Sequence, residues 1–232
     1  MKKSREPCDL KTCTLCKSCM PEWLAAVAVH RSTLLFAKGE SIFSEGDQVE
    51  GIYFVYSGTV KVHKKWGSEK ELIIRFAQKG DIFGHRGLGH DPHYPISATA
   101  LEAVSACHID LAFFRASLKV NIGFMESLLL FFADELQDSE RKMRDLAHMQ
   151  VKGRVAQALL ALQVKFGDNG EGYLNIALSR QDLASYAGTT YETVFRIINE
   201  LSSEGLIETK GKGIRILLPE GLAACCKEQE PS

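Results

Sequence analysis

The chain has 232 residues, 28 Lys and Arg against 29 Asp and Glu, a formal net charge of −1 and 45% hydrophobic residues. That length suits two domains with a core each, and the near-neutral balance excludes a protein that coats nucleic acid through one sweeping basic field. No apolar run reaches membrane-spanning length and no charged-then-apolar leader opens the chain, so a cytoplasmic protein with no membrane partner is expected.

Seven cysteines stand at 8, 13, 16, 19, 107, 225 and 226. In a reducing compartment such a set points to metal or redox chemistry before structural disulfides. Residues 1–29 form a Cys-rich N-terminal segment in which Cys8, Cys13, Cys16 and Cys19 crowd together with little other apolar content. Soft thiolates at C-x2-C-x2-C spacing suit an iron–sulfur cluster whose fourth ligand comes from far along the chain. Four local thiolates would equally close a tetrahedral zinc site, and a third reading leaves them as thiols without a metal. The pair Cys225-Cys226, near a polar C-terminus, has no assigned role.

Residues 30–122 change texture to short alternating segments, ESIFSEGD, GIYFVYSGTVKVHKK, KELIIRFAQKGDIFG and ISATALEAVSACHID, with glycines at 46, 51, 58, 67, 80 and 84 between them. Strands of four to eight residues punctuated this way predict a double-stranded β-helix or jelly-roll barrel, used to hold a small ligand or to dock on a neighbour. His85, His90 and His93 fall in a loop with Gly, Asp and Pro and read as solvent-facing, with haem or metal binding as the sharper alternative. Arg86 reads as an exposed loop arginine.

Residues 123–150 predict one long helix. Met125, Leu129, Phe132, Leu136, Ser139, Met143, Leu146 and Gln150 alternate at spacings of four and three, the a/d seam of a coiled coil, which predicts a parallel homodimer. Ser139 interrupts the seam, so the dimer is expected to be conditional. The alternative is that this stripe packs on the chain's own barrel. A further helix over residues 151–166 ends at Gly167-Asp168-Asn169-Gly170.

From Ser179 to Leu218 the spacing predicts a complete winged helix-turn-helix within a domain over residues 151–222. Ser179 and Asp182 make a capping-box start, Gly188 ends the first helix, and a second helix over residues 190–202 carries Val194, Ile197, Ile198 and Leu201 as an apolar stripe. The opposite face offers Thr190, Tyr191, Glu192, Phe195, Arg196 and Asn199 to the major groove, with Glu192 accepting from cytosine N4 and Arg196 donating to guanine O6/N7. Phe195 packs on a thymine methyl or on another part of the protein. Thr189-x-x-Glu192 is also a capping box, which would turn Glu192 toward the backbone. A hairpin turning at Gly211-Lys212-Gly213 forms a wing whose Lys210 and Lys212 touch phosphates. Residues 151–218 hold only eight Lys and Arg against seven Asp and Glu, which favours a dimeric sequence reader summing two modest half-sites.

No G-x-S-x-G, Walker loop, H-E-x-x-H or paired-carboxylate motif occurs, so the chain is not expected to be an enzyme. A regulator whose barrel holds a small effector, with the cysteines irrelevant, is the alternative within the same class.

The order of barrel, long helix and winged helix-turn-helix, with EGD at 45–47, GTVKV at 58–62, KGDIFG at 79–84, SATALEAVSAC at 97–107 and ETVFRIINELSSEGLI at 192–207, resembles the cyclic-AMP receptor protein/FNR family of bacterial transcription regulators. The resemblance covers about residues 30 to 220. It implies an α+β protein acting as a dimer on a palindromic operator, contacting RNA polymerase and receiving its signal in the barrel half. In cyclic-AMP-binding members a Glu just after the Gly84 equivalent holds the ribose and a later Arg-Ser pair holds the phosphate. Here His85 and Arg86 stand at the first place and Pro95-Ile96-Ser97 at the second, so cyclic AMP is not the expected ligand, because its phosphate would be buried without a charged partner. In the FNR branch an N-terminal cysteine group joins one cysteine on the last barrel strand, where Cys107 falls. The resemblance therefore implies a [4Fe–4S] cluster on Cys13, Cys16, Cys19 and Cys107, with Cys8 as a possible substitute, answering to oxygen, nitric oxide or redox state.

Overall fold

A computed structural model describes residues 2–4, 13–67 and 70–227. The chain forms two compact units, Met1–Gln137 and Asp138–Ser232. Cys8 lies outside the described residues.

The first unit is an antiparallel double-sheet barrel. One sheet runs β1 (Lys2–Ser4), β2 (Arg31–Phe36), β9 (Val104–Asp110), β4 (Gly51–Ser57), β7 (Ile82–Phe83) in spatial order; the other runs β3 (Ser41–Phe43), β8 (Ser97–Ala100), β5 (Val60–Trp66), β6 (Lys70–Ala77). Side chains alternate across a strand, so a sheet covered on both faces sends successive residues into two different cores. In β4, Tyr53 and Val55 enter the core between the sheets, whereas Ile52 and Phe54 enter a second core on the outer face. In β9 the same alternation sends Val104 and Ala106 inward and Cys107 and Ile109 outward.

The inner core is filled by rings: Phe43 stacks on Tyr94 at 3.9 Å, Tyr53 on Phe83 at 5.1 Å. Gly84 adopts φ 82, and a Cβ there would stand 3.3 Å from the Tyr53 ring, so glycine answers both the backbone conformation and the packing. The outer core is closed by helices α1 (Thr14–Ser18), α2 (Leu24–His30), α3 (Leu111–Val120) and the N-terminal half of α4 (Ile122–His148), which bury Leu15, Val27, Phe113, Phe114, Phe124 and Leu128. The N-terminal segment thus contributes core residues, although its composition reads as almost purely polar and thiol. Asp110 caps α3 by accepting from the Phe113 amide at 2.9 Å, and α3 and α4 meet at a bend of 109°.

The barrel-facing stripe of α4 is Phe124, Leu128, Phe131 and Glu135. The seam positions Met125, Leu129, Leu136, Met143 and Leu146 remain 49%, 69%, 60%, 61% and 39% exposed, and the three within the first unit, Met125, Leu129 and Leu136, do not pack on its barrel. Phe132 departs from the expected seam: it packs against the outer core and edge-on to the His85 ring at 5.3 Å. Contacts with the outer core and the His85 ring turn that one position toward the barrel. Ser139 is half-buried.

The second unit is a winged helix-turn-helix. It comprises α5 (Val151–Phe166), α6 (Arg180–Ala187), α7 (Tyr191–Ser203), the hairpin β10 (Ile207–Lys210) and β11 (Gly213–Ile216), and a closing helix α8 (Pro219–Cys225). Ser179 caps α6 by accepting from the Asp182 amide at 3.0 Å, and Gly188 ends it at φ 64, the left-handed conformation that favours glycine. Val194, Ile197, Ile198 and Leu201 bury the inner face of α7. Helix α8 stands where the sequence reads as tail; it packs on α5, where a Cβ on Gly153 would meet the Cys225 carbonyl at 2.7 Å. Among the described residues no single helix is long and apolar enough to cross a membrane.

Candidate functional site

The face of α7 turned away from its buried stripe is the candidate nucleic-acid interface. Thr190, Tyr191, Glu192, Phe195, Arg196 and Asn199 are all exposed on it. The helix is capped by Thr190, whose hydroxyl accepts from the Thr193 amide at 3.3 Å, and not by the Thr189/Glu192 box. The reason is register: α7 starts at Tyr191, so Thr190 occupies the capping position and Glu192 becomes the second helical residue, its carboxylate out in solvent. Arg196 approaches Glu200 at 3.6 Å with its side chain 69% exposed, a loose pair that leaves the guanidinium presentable.

The face is held rigidly from behind. Arg154 donates to the Met149, Ala187 and Gly188 carbonyls at 2.8, 3.1 and 3.2 Å, fixing the turn between α6 and α7 against α5. Lys152 bridges Glu200 and Glu204 at 2.7 Å each. Lys210 and Lys212 flank the hairpin turn at Gly211, both exposed. Sequence reasoning missed Arg180, the first residue of α6, whose guanidinium reaches toward the Lys212 carbonyl at 3.5 Å and adds a cation to the wing side. Its position one residue after a capping serine, where acidic residues are favoured, was the signal.

The second candidate site is the cysteine cluster. Cys13 is the N-cap of α1, Cys16 lies within it and Cys19 is its C-cap, so the C-x2-C-x2-C spacing brackets a single helical segment. The Cys13 sulfur accepts from the Cys16 amide at 3.4 Å. The segment is tied at both ends. Thr14 donates through its hydroxyl to the Gly80 carbonyl at 2.9 Å, and the Met20 amide donates to Asn121 Oδ1 at 2.9 Å. Trp23 Nε1 donates to Ser117 Oγ at 2.9 Å. All four of Cys13, Cys16, Cys19 and Cys107 are buried in the same outer core. Burial, with the neighbouring Cys13, pushes the Cys19 thiol up to about 11. Four thiols in one core are the kind of donor a soft metal centre takes. Among the described residues no three His, Cys, Asp or Glu side chains are drawn together at ligand distance.

A third constellation was not legible as such. His85, expected in solvent, is 2% exposed, and Arg86 is ion-paired. Glu135 of α4 receives Arg86 at 2.7 Å and Arg75 at 3.3 Å, and His85 Nε2 stands 3.7 Å away, too far for a direct hydrogen bond. The Phe131 and Phe132 rings meet His85 edge-on, and Arg75 lies over Phe131 at 5.4 Å. Burial opposes ionisation of Glu135, but Arg75 and Arg86 outweigh it and hold the carboxyl down at about 2. Burial lowers the His85 pKa, so the ring is neutral at physiological pH. The signal in the sequence was a lone Glu at helical spacing from Leu128 and Phe131, on the apolar stripe.

The chain matches two protein families in tandem, described as the cyclic nucleotide-binding domain over residues 33–121 and the Crp-like helix-turn-helix domain over residues 153–225. It is similar to the transcriptional activator protein FnrA of Stutzerimonas stutzeri, 26% identical over 230 residues, covering 96% of this chain and 94% of that one. It is also similar to the CRP-like cAMP-activated global transcriptional regulator of Mycobacterium tuberculosis, 28% identical over 205 residues, covering 88% and 92%. Among solved structures, FixK2 from Bradyrhizobium japonicum shares the fold at a TM-score of 0.77 and 24% identity, over 86% of this chain and 99% of that chain. One relative is named for activation by cAMP and another is not, so the names carry the family and leave the signal open. Both matches fall on the barrel and the winged helix-turn-helix described above, in the same order, and this chain therefore belongs to the cyclic-AMP receptor protein/FNR family of DNA-binding transcription regulators.

Proposed function

We propose that this regulator acts in the cytoplasm as a homodimer on a palindromic operator near a promoter, contacts RNA polymerase, and takes its signal through a [4Fe–4S] cluster held by Cys13, Cys16, Cys19 and Cys107. In this reading residues 1–29 and 30–122 sense, 123–150 dimerise, and 151–222 bind DNA. The observation that carries it is that four thiols from two distant parts of the chain are buried in one core. When bound, such a cluster supplies a redox centre labile to oxygen or nitric oxide. The chain's own part is to bring the donors together: alternation in β9 turns Cys107 outward, and the Gly80 and Asn121 anchors hold α1 over that face. Because burial keeps Cys19 protonated, ligation must displace its proton, so loading strengthens as pH rises.

The uncovered stripe Met125, Leu129, Leu136, Met143 and Leu146 supports the dimer, since exposed apolar residues at heptad spacing are what a second copy covers. Two observations favour a signal other than cyclic AMP. Arg86 is engaged by Glu135, and the Ser97 hydroxyl accepts the Glu45 amide at 2.9 Å, so both groups nearest the expected nucleotide contacts already serve the protein. A zinc site on Cys8, Cys13, Cys16 and Cys19 is the second reading, favoured by the way α1 alone groups three of them.

Anaerobic purification decides. The cluster predicts brown protein with broad visible absorbance and about four irons and four sulfides per chain, lost in Cys107→Ala and kept in Cys8→Ala. Colourless protein that binds one zinc per chain, with the zinc lost in Cys8→Ala and kept in Cys107→Ala, would replace the cluster by the zinc reading.

A further inference from the structure

The base-reading face of α7 carries a feature that polar recognition does not use. Tyr191 and Phe195, one helical turn apart, stack on each other with ring centroids at 6.3 Å and planes 18° apart, and remain 44% and 52% exposed. The stripe that builds the core of this unit is the opposite one, Val194, Ile197, Ile198 and Leu201, so the aromatic pair lies outside the core and leaves about half of its surface in solvent. Single exposed apolar residues are ordinary, but two large rings joined into one patch in the middle of an interface mark a contact. Glu192 and Arg196 each follow one of these rings in sequence, and all four side chains are exposed on the one helix.

We propose that the Tyr191–Phe195 pair reads the C5-methyl groups of thymines in the major groove, so that the operator half-site carries methyl-dependent thymines beside the base pairs met by Glu192 and Arg196. This rests on α7 being the base-reading helix. In the major groove the thymine methyl is the apolar feature that distinguishes bases, and an aromatic side chain is the kind of group that contacts it. The 6.3 Å between ring centroids spans about two base steps at roughly 3.4 Å each. Two rings in register thus meet methyls about two positions apart. Tyr191 and Phe195 are already stacked in the free helix, so little side-chain freedom is lost on docking.

The test substitutes DNA, which leaves the protein's folding untouched. Full-length wild type, purified anaerobically, selects duplexes from a random-sequence library, and the selected duplex is resynthesised with deoxyuridine replacing each thymine in turn, together with its symmetry mate in the other half-site. Removing one buried methyl costs about fourfold in affinity, and the two half-sites of a dimer together give about 10- to 20-fold. The inference expects that loss at one thymine per half-site, a smaller one about two steps away, and no loss at the first position in Phe195→Ala. Deoxyuridine tolerated within about twofold everywhere overturns it. So does a Phe195→Ala protein with the wild-type deoxyuridine penalty, which would assign the methyl to another group. A Phe195→Ala protein that keeps DNA affinity but loses activation with RNA polymerase would make the pair a protein contact and also overturn it. Failure to select any sequence would remove the base-reading role of α7 itself, an outcome distinct from a selected operator that is indifferent to the methyl.

Discussion

Replacing Glu135 by Gln removes the carboxylate that answers Arg86 and that shares Arg75 with Asp81, 3.6 Å from it, at the junction of barrel and α4. The side chains of Arg75, Arg86 and Glu135 are 13%, 26% and 15% exposed, so the cluster is largely dry but not sealed. A carboxyl held at about 2 against an ordinary 4.5 contributes about 3 kcal/mol at neutral pH. Breaking a fully buried ion pair costs a comparable amount, about 3–5 kcal/mol, and less here because Arg86 reaches water and Arg75 keeps Asp81 at 3.6 Å. We expect Glu135→Gln to lose about 2–4 kcal/mol, or roughly 10 °C in Tm for a unit of this size. The sign with pH follows from the depressed pKa. The contribution is complete above about 4.5 and disappears as pH falls toward about 2, so wild type and variant converge in acid. Denaturant melts followed by circular dichroism at about pH 7, 4.5 and 3 measure this. A variant within about 0.5 kcal/mol of wild type at neutral pH, or a gap that does not narrow in acid, refutes the cluster as a stabilising element.

Arg196→Ala is expected to lose about 1–3 kcal/mol of specific binding, a shift of the footprinting midpoint with an unchanged melting curve; protection of the same operator at the same concentration would remove the base contact. With Phe195 where FNR-like proteins often carry a serine, the consensus recovered by random-sequence selection should differ from theirs at that contact, and recovering theirs unchanged counts against it. Ser139→Leu completes the apolar seam and should give, by anaerobic sedimentation, a dimer that persists after air exposure; dissociation equal to wild type would show the seam is not limiting. Glu71, held at about 2 chiefly by His63 with help from Lys61, gives the second sheet its own acid-labile contact. Its stability is present above about 4.5 and lost toward about 2, so Glu71→Gln should flatten part of the barrel's acid melting profile.

What was legible in the sequence was whatever periodicity or turn chemistry controls. The buried stripe of α7, the Ser179 cap, the Gly188 stop and the strand segments each follow from local rules, and tertiary packing agrees with them. The misreadings have a common cause in contacts between distant residues. His85 and Arg86 sit in a Gly- and Asp-bearing stretch that reads as loop, yet Glu135, about fifty positions away, draws them in. Phe132 fits the heptad by count, but the same ion cluster and the outer core turn it toward the barrel. At the start of α7 two threonines in a row left the capping box open as an alternative, because a shift of one residue decides which hydroxyl meets an amide, and Thr190 is the one that does. The N-terminal thiols stood out by residue type and spacing alone, whereas only the family resemblance joined Cys107 to them, and that all four share one core is a matter of packing.

The positions of these elements say what a switch here has to do. Cys107 lies on β9, β9 runs without a loop into α3 through the Asp110 cap, and Asn121, at the bend into α4, also anchors Met20 beside Cys19. The N-terminal thiols and the start of α4 therefore share a hydrogen-bonded support. Loading the cysteines would stiffen that support, while the Glu135 cluster keeps α4 on the barrel whether or not they are loaded. A ligand shifts an equilibrium only by its differential affinity for the two states. With α4 already fixed along its barrel face, the part left to change is the exposed seam, which a polar Ser139 keeps weak enough for a few kcal/mol to decide. Wild type compared with Cys107→Ala by sedimentation and operator binding, anaerobically and in air, tests this order of events. If wild type stays fully dimeric and binds equally in both atmospheres, the cysteines do not gate assembly.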